Sequence, residues 1–308
     1  MNQRNIDGFL NINKPEGITS AEVARVLKRE LGAKKVGYIG TLDPIAEGVL
    51  PVGMGRATRL FPFLEKGDKV YEATLTLGAS TDTQDRVGKI VDQADPSNVT
   101  KEMALEVMQT FVGDIEQIPP MFSAKKIDGE RLYDLARKGI EVERKPIKAT
   151  ISNLKLLGMD GPNIRFSVQV TTGAYVRTLC HDIGQKLGVY GHLSSLTRAR
   201  SGHFRVEDSV PLNVFRSDNL EEAESKIISL SDGLSHMHTA VVIPHAVDRI
   251  KKGMPLGISD IITFAQAENS DFVRVIDKAG RLVCVGVKEG VPMAGFPFSA
   301  IKPKKVLA

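Results

Sequence analysis

Apolar and polar side chains alternate along this chain with two different periods, which predicts both strands and helices. Between residues 70 and 77 the period is two, so one face of a predicted strand is apolar: Tyr71, Ala73, Leu75 and Leu77. After residue 19 the spacing becomes three and four, which predicts a helix with an apolar stripe at Val23, Val26, Leu27 and Leu31. Thr19 and Glu22 match a capping box at the start of that helix, and Gly32 ends it.

Further patterned segments extend this mixture. Residues 101–112 predict a second helix with a buried stripe at Leu105, Met108, Phe111 and Val112. Residues 164–170 alternate as a strand, after which a helix begins near Tyr175. A helix-rich connection is predicted over residues 209–239, and the runs 272–276 and 281–287 flank a turn in the pattern of a β-hairpin.

Composition excludes some classes of protein. The 308 residues are enough for one large domain and a small one, and 41 Lys and Arg against 37 Asp and Glu permit nucleic-acid binding without demanding it. Cys180 and Cys284 lie in different predicted domains, which argues against a disulfide framework or a zinc site. The first residues contain no signal-peptide core, and no apolar run is long enough to cross a bilayer. We therefore expect a cytoplasmic protein.

The stretch 37–51 is dense in Gly and Pro around one acid, Asp43. Glycine adopts backbone angles that other residues resist, and Pro44 biases Asp43 away from the helical region. The pattern predicts a stiff loop with little helix or strand character. An acid before a proline is also an ordinary turn residue, so this pattern alone leaves a turn-capping role open.

The same stretch resembles the signature of the TruB family of tRNA pseudouridine synthases, Gly-His-x-Gly-x-Leu-Asp-Pro-x-Ala-x-Gly-x-Leu-Pro. Tyr38 stands where the family commonly has His. Further segments similar to the family follow in its order, between about residues 8 and 205: 13–20, 69–71, 78–85, 118–126, 133–142 and 172–178. One such motif is weak evidence, whereas an ordered series of motifs is specific.

The resemblance implies an α+β fold of the pseudouridine synthase type, a large mixed and mainly antiparallel sheet flanked by helices. It places a catalytic domain at residues 1–238 and a small PUA-like RNA-binding β-barrel at 239–308. Residues 125–148 are rich in charge, and Leu132, Leu135 and Ala136 predict a short helix there. A charged segment is often only a solvated face, but in the family the equivalent insertion grips an RNA stem-loop.

Three residues are implied to carry the chemistry. Asp43 aligns with the family's nucleophilic aspartate, which attacks either ribose C1′ or the uracil ring. Arg177 would pair with Asp43 and lower its pKa. Tyr71 would stack on the base, and its hydroxyl would reach a proton during deprotonation of C5. The ordinary alternatives are a surface cation for Arg177 and a core aromatic for Tyr71.

Five other residues are implied to contact the substrate: Tyr38, Tyr175, Leu196, Lys14 and Asp82. Leu196 resembles the leucine that closes over the flipped base, although a single leucine is ordinarily core. Lys14 is equally consistent with a solvated or structural charge. The nearby cations of residues 198–205, Arg198 first among them, are expected to meet phosphates.

The implied function is isomerisation of uridine 55 in the tRNA T-loop, with base flipping and without a guide RNA. No cofactor or metal is expected, because no group enters or leaves and the sequence offers no nucleotide fingerprint or ligand cluster. The expected partner is a tRNA T-stem-loop, with no membrane, no obligate protein partner and a monomeric enzyme. The alternatives are a subunit of a guide-RNA-dependent synthase and a non-catalytic RNA chaperone on the same fold.

Overall fold

The computed structural model describes residues 4–65, 67–123, 125–127, 129–216, 220–268 and 270–307. Ala124 of the motif at 118–126 and Asp128 of the charged segment lie outside these residues.

The strands are numbered along the chain. They are β1 (Gly8–Lys14), β2 (Val36–Tyr38), β3 (Ala46–Met54), β4 (Lys69–Leu77), β5 (Ala79–Thr81), β6 (Ile90–Gln93), β7 (Gly113–Gln117), β8 (Lys126–Ile127), β9 (Glu130–Arg131), β10 (Ile147–Asp160), β11 (Asn163–Val170), β12 (Gly191–Ser201), β13 (Phe204–Arg205), β14 (Val210–Pro211), β15 (His238–Val242), β16 (Leu256–Gly257), β17 (Ile261–Ala265), β18 (Phe272–Ile276), β19 (Leu282–Glu289) and β20 (Ala300–Val306).

The α-helices are α1 (Ser20–Glu30), α2 (Lys101–Gln109), α3 (Leu132–Arg137), α4 (Val176–Lys186), α5 (Leu220–Ser225) and α6 (Pro244–Lys251). Short 3-10 helices cover Gly55–Phe63, Leu212–Arg216, Asp232–Leu234 and Ile258–Asp260. Within the described part of the chain, no helix is long and apolar enough to span a membrane.

One large mixed sheet organises the N-terminal part of the chain. Its strand order is β14-β1-β3-β12-β4-β11-β10-β7, with β2 added to β3 and β13 to β12. The β1–β14 and β3–β12 pairs are parallel and the other pairs are antiparallel. Together with the flanking helices this confirms the α+β class and the mainly antiparallel sheet. The neighbours β3, β12 and β4 lie near its centre.

Several local predictions are confirmed. The strand at 70–77 is β4, where the alternate residues from Lys69 to Leu77 are buried. The helix after Thr19 is α1, and both halves of its capping box are present. The runs 272–276 and 281–287 pair as the antiparallel β18–β19 hairpin, and a short α3 lies in the charged segment.

Two local predictions are wrong in part. Helix α2 ends at Gln109 rather than near Val112, and Val112 is exposed, because the chain turns there into Gly113 with a φ of 109°. The stretch 37–51 is only partly a loop, since its second half begins strand β3. Tertiary pairing explains this, because β3 bonds to β1 on one side and β12 on the other.

The C-terminal residues form a separate six-stranded sheet in the order β16-β20-β19-β18-β15-β17. A buried apolar cluster joins this sheet to the larger one, with Phe9, Ile39 and Phe204 on one side and Leu282 and Val285 on the other. The sheet begins at His238, close to the domain boundary that the sequence predicts. The boundary and the PUA-like assignment stay predictions.

Candidate active site

Asp43 lies in the short connection between β2 and β3. The backbone on its N-terminal side is tied to α1, because Leu42 N donates to Ser20 Oγ at 2.9 Å and Ser20 Oγ donates to Leu42 O at 3.0 Å. On its C-terminal side Gly17 N donates to Pro44 O at 2.7 Å. These bonds fix the backbone, while 35% of the Asp43 side chain stays exposed.

Arg177 forms the ion pair with Asp43 that the sequence predicts. It is the second residue of α4, and its Nε lies 2.9 Å from Asp43 Oδ2. Its Nη2 donates to Phe122 O at 2.8 Å and its Nη1 to Thr83 O at 3.2 Å. The side chain is almost fully buried, so its guanidinium is held in one orientation.

A second carboxylate, Asp85, also binds this guanidinium. Its Oδ2 lies 3.4 Å from Arg177 Nη1, and its Oδ1 accepts from Thr83 Oγ1 at 2.6 Å and from Val87 N at 3.2 Å. Asp85 is buried and contacts the arginine through Nη1, whereas Asp43 contacts it through Nε.

From the sequence, Asp82 and Asp85 both fit a loop that could accept hydrogen bonds from RNA, and Asp82 is the one implied as a substrate contact. Asp82 is exposed and accepts a backbone hydrogen bond from Lys89 N at 2.8 Å, which closes the loop between β5 and β6. Both acids belong to the motif at 78–85. Only the tertiary contact with Arg177 distinguishes them.

The balance of charges around Asp43 differs from the sequence expectation. Burial in the packed loop is the largest influence and raises the pKa of the Asp43 carboxyl. Arg177 opposes that rise, Asp85 adds to it, and Lys14 opposes it weakly. The net direction of the Asp43 pKa is upward, opposite to the lowered pKa expected from the sequence. The physical reason is that the surrounding packing desolvates the acid and Asp85 adds a second negative charge, and together these outweigh the effect of Arg177.

Tyr71 and Leu196 lie beside this loop in one buried cluster with Leu42 and Ala46. Leu196 on β12 is paired with Ala46 on β3 and with Ala73 on β4. The strand order therefore brings Leu196 and the β4 face that carries Tyr71 to the same place as the Asp43 loop. Both side chains are buried, which is consistent with a core role as well as a base-contacting one.

Tyr38 and Tyr175 occupy different parts of the surroundings. Tyr38 is the last residue of β2, is half-buried and packs against the same apolar cluster. Tyr175 is the N-cap residue of α4, where its N–H donates to Gln117 Oε1 at 2.9 Å and its carbonyl accepts from Gln117 Nε2 at 3.1 Å. These two bonds set the start of the helix that carries Arg177.

Lys14 binds backbone carbonyls of the turn that follows it. It is fully buried, and its Nζ donates to Pro15 O at 2.9 Å and to Ile18 O at 2.7 Å. Burial lowers the pKa of Lys14 to about 8. The lysine holds the turn before α1, which contains the Gly17 that binds Pro44. This placement supports the structural role that the sequence leaves open for Lys14, and a substrate contact stays a prediction.

The placement of Arg198 differs from the expected phosphate contact, because Arg198 is fully buried and does not lie on a phosphate-binding surface.

A cavity of about 540 Å³ lies between the two sheets, lined in part by His203, Arg205 and Phe272. None of the eight predicted site residues lines this cavity. Within the described part of the chain, no group of His, Cys, Asp and Glu has the arrangement of a metal site.

Family models and curated relatives that match this chain all describe pseudouridine synthases of the TruB type. The model of the TruB family pseudouridylate synthase N-terminal domain matches residues 28–176, and that of the tRNA pseudouridylate synthase B C-terminal domain matches residues 177–241. A tRNA pseudouridine synthase B of Syntrophotalea carbinolica is 42% identical over 90% of each chain. The same enzyme of Clostridium kluyveri is 37% identical over 96% of this chain and 99% of the relative.

Solved structures share the fold across almost the whole chain. The structure of an H/ACA RNP bound to a substrate RNA containing 2'-deoxyuridine superposes with a TM-score of 0.73 at 25% identity, covering 97% of this chain and 84% of the other. A Cbf5-Nop10-Gar1 complex gives a TM-score of 0.71 at 28% identity over the same shares of the two chains.

Proposed function

This chain belongs to the TruB family of pseudouridine synthases, and from that premise we propose that it isomerises uridine 55 in the T-loop of tRNA. The observation that carries the proposal is the Asp43–Arg177 ion pair. A partly exposed carboxylate there contacts a buried guanidinium at 2.9 Å. The relatives named tRNA pseudouridine synthase B support tRNA as the substrate.

Asp43 acts as the nucleophile in this proposal. The N1–C1′ bond of uridine breaks, the uracil turns, and C5 bonds to C1′ while the C5 proton is lost and N1 gains one. The ionised carboxylate supplies the electron pair, by attack on either C1′ or the uracil ring. Arg177 stabilises the anion against the burial that raises its pKa.

Tyr71 and Leu196 hold the uracil during its turn. The target uridine has to leave the stacked T-loop, which costs a few kcal/mol. The Tyr71 ring offers a stacking surface for the base, and its hydroxyl can reach the proton that leaves C5. Leu196 shares a buried cluster with Tyr71 and would keep water from the broken glycosidic bond.

Other contacts follow from placement. Tyr38 is half-buried beside the loop and would stack against displaced nucleotides where the family commonly has His. Tyr175 would contact the substrate from the start of α4. The charged segment at 125–148 would bind the stem, and the C-terminal sheet would add a second RNA surface.

A guide-RNA-dependent subunit is the alternative that the structural neighbours favour, since both are multicomponent complexes, an H/ACA RNP and a Cbf5-Nop10-Gar1 complex. The tRNA synthase relatives are more similar in sequence, at 37–42% identity against 25–28%, and so support action without a guide. Purified protein and a bare T-stem-loop transcript separate the two readings. Conversion without added RNA or protein is expected, and no conversion would favour the guided enzyme.

The chemical test uses a T-stem-loop with tritium at C5 of the target uridine. Wild type should release tritium, and Asp43→Asn should release essentially none while binding the RNA with similar affinity. Asp208→Asn, at an exposed acid that is none of the predicted site residues, is the matched control and should react like wild type. Normal release by Asp43→Asn would exclude Asp43 as nucleophile and favour an RNA chaperone or another catalytic group.

A further inference from the structure

Arg198 contacts both arms of the segment that carries Asp43. Its Nη2 donates to Gly40 O at 3.0 Å, three residues before the acid, and its Nε donates to Val49 O at 2.7 Å, six residues after it. One buried side chain therefore spans the connection from β2 to β3.

Two glycines of the segment make room for Arg198. A Cβ built on Gly40 would lie 3.1 Å from Arg198 Nη1, and one built on Gly48 would lie 2.4 Å from Arg198 O. The backbone φ values are 70° at Gly40 and 97° at Gly48, and residues other than glycine rarely adopt such values. The glycines thus allow the arginine side chain to approach one arm and its backbone to approach the other.

The backbone of Arg198 also links the parts of the site. On β12 it is paired with Gly48 of β3 on one side and with Tyr71 of β4 on the other. Arg198, which binds the Asp43 segment, therefore lies directly beside Tyr71, the residue proposed to stack on the uracil. Arg198 thus connects the Asp43 segment with the strand that carries Tyr71.

The cost of burying this cation indicates a specific role. Arg198 is fully buried and forms no ion pair among the described residues. A second buried cation, Lys69, is close to it, because both side chains approach Gly40. Buried guanidinium groups are expensive unless their hydrogen bonds are satisfied. Nη1 has no hydrogen-bond partner within the described residues, so the two carbonyl bonds are what fix this side chain.

We propose that Arg198 is a positioning residue for pseudouridine formation, which holds the Asp43 segment in register with Tyr71. The proposal rests on the function proposed above. Arg198 does not touch the uridine, and it acts by fixing the Gly40 and Val49 carbonyls on either side of the nucleophile. A displacement of about 1 Å in a reacting group can reduce a rate about 100-fold, which is the size of effect expected.

The test compares Arg198→Met and Arg198→Lys with wild type on the tritiated T-stem-loop. Single-turnover rates are measured at saturating RNA, and dissociation constants are measured separately. Arg198→Met should slow tritium release about 100-fold with RNA affinity within about 3-fold of wild type. Arg198→Lys should be intermediate, because one ammonium can bind one of the two carbonyls. Arg165→Met, an exposed arginine on β11, is the matched control and should keep the wild-type rate.

Hydrogen–deuterium exchange supplies a readout that does not depend on catalysis. Arg198→Met should accelerate amide exchange in residues 39–51 while α2 and the C-terminal sheet keep wild-type exchange. If Arg198→Met fails to fold, Arg198→Lys decides the question by the same measurements.

Three results would overturn the proposal. They are a folded variant with a rate within about 3-fold of wild type, a loss of RNA affinity at an unchanged rate, or unchanged exchange in residues 39–51. The second would make Arg198 an RNA contact. Absence of product with wild type would reject the proposed function instead, and the exchange measurement would still test the role of Arg198.

Discussion

Arg177 Nε lies 2.9 Å from Asp43 Oδ2, and the arginine is 5% exposed while the aspartate side chain is 35% exposed. The pair is therefore asymmetric, with a fixed cation behind an acid that keeps one side open to a substrate. Asp85 binds the same guanidinium through a different nitrogen, Nη1. Two acids thus share one cation, and this arrangement determines how the site responds to pH.

The first prediction concerns the acid limb of the pH–rate profile. The reaction needs ionised Asp43, and burial raises its pKa, so the rate should fall with decreasing pH at a value above the ordinary carboxyl range. Arg177→Gln removes the charge that lowers this pKa and should move the limb to higher pH. Single-turnover rates between about pH 4 and 9 measure the shift. An unmoved limb in a folded variant would show that Arg177 does not control Asp43.

Asp85→Asn should move the same limb in the opposite direction. The negative charge of Asp85 contributes to the raised pKa of Asp43, so its removal should lower that pKa. The maximum rate should also fall by about 10-fold or more, because Arg177 loses one of its anchors.

Asp82→Asn is the comparison for that variant. Asp82 accepts from Lys89 N in the turn and has no bond to Arg177 among the described residues, so the acid limb should stay where it is in wild type. A limb shifted by Asp82→Asn and not by Asp85→Asn would reverse our assignment of the two acids.

The role of Tyr38 is tested by a pair of substitutions. If the ring acts by stacking, Tyr38→Phe should keep most of the activity and Tyr38→Ala should lose much of it, about 1–3 kcal/mol per stacked base. The measurement is kcat/KM on the T-stem-loop, with circular dichroism as a check on folding. Equal values for the two variants would refute the stacking role.

A stability prediction concerns His203 and His236, whose rings stack at a centroid distance of 4.4 Å between the two sheets. Burial lowers the pKa of His203 to about 4 and also lowers that of His236. Between the ordinary pKa of 6.5 and about 4, the unfolded chain binds more protons than the folded one. Protonation of these histidines therefore does not reduce the free energy of unfolding above pH 6.5, and it reduces that free energy progressively as the pH falls toward 4.

Thermal unfolding across this range measures the effect. His203→Phe keeps an aromatic ring without a titrating group, so its Tm should fall less steeply with acid than that of wild type. The exposed His245→Gln should retain the wild-type slope. Identical slopes for wild type and His203→Phe would show that His203 does not couple protonation to folding.

Local patterns along the chain predict many elements correctly. The alternation at 70–77 predicts β4, and the Thr19–Glu22 capping box marks the start of α1. These features depend on neighbours within a few residues, so they can be read from the sequence. The pattern is less informative for the second half of the stretch 37–51, where pairing with distant strands makes β3.

Side-chain placement follows contacts between distant segments, and there local patterns are insufficient. Lys14 and Arg198 are charged and resemble surface residues by type, yet each is buried, and backbone carbonyls of a loop or of strand β3 accept its hydrogen bonds. Asp82 and Asp85 belong to one motif, and only the position of α4 selects Asp85 as the partner of Arg177.

The sequence by itself therefore determined the family, the α+β class and the identity of the acid and arginine that meet in the site. The tertiary structure decided which residues hold that pair in place. The physical reason is the strand order β3-β12-β4, which brings together residues about 150 positions apart. Burial and pKa depend on such neighbours, and no short-range pattern specifies them.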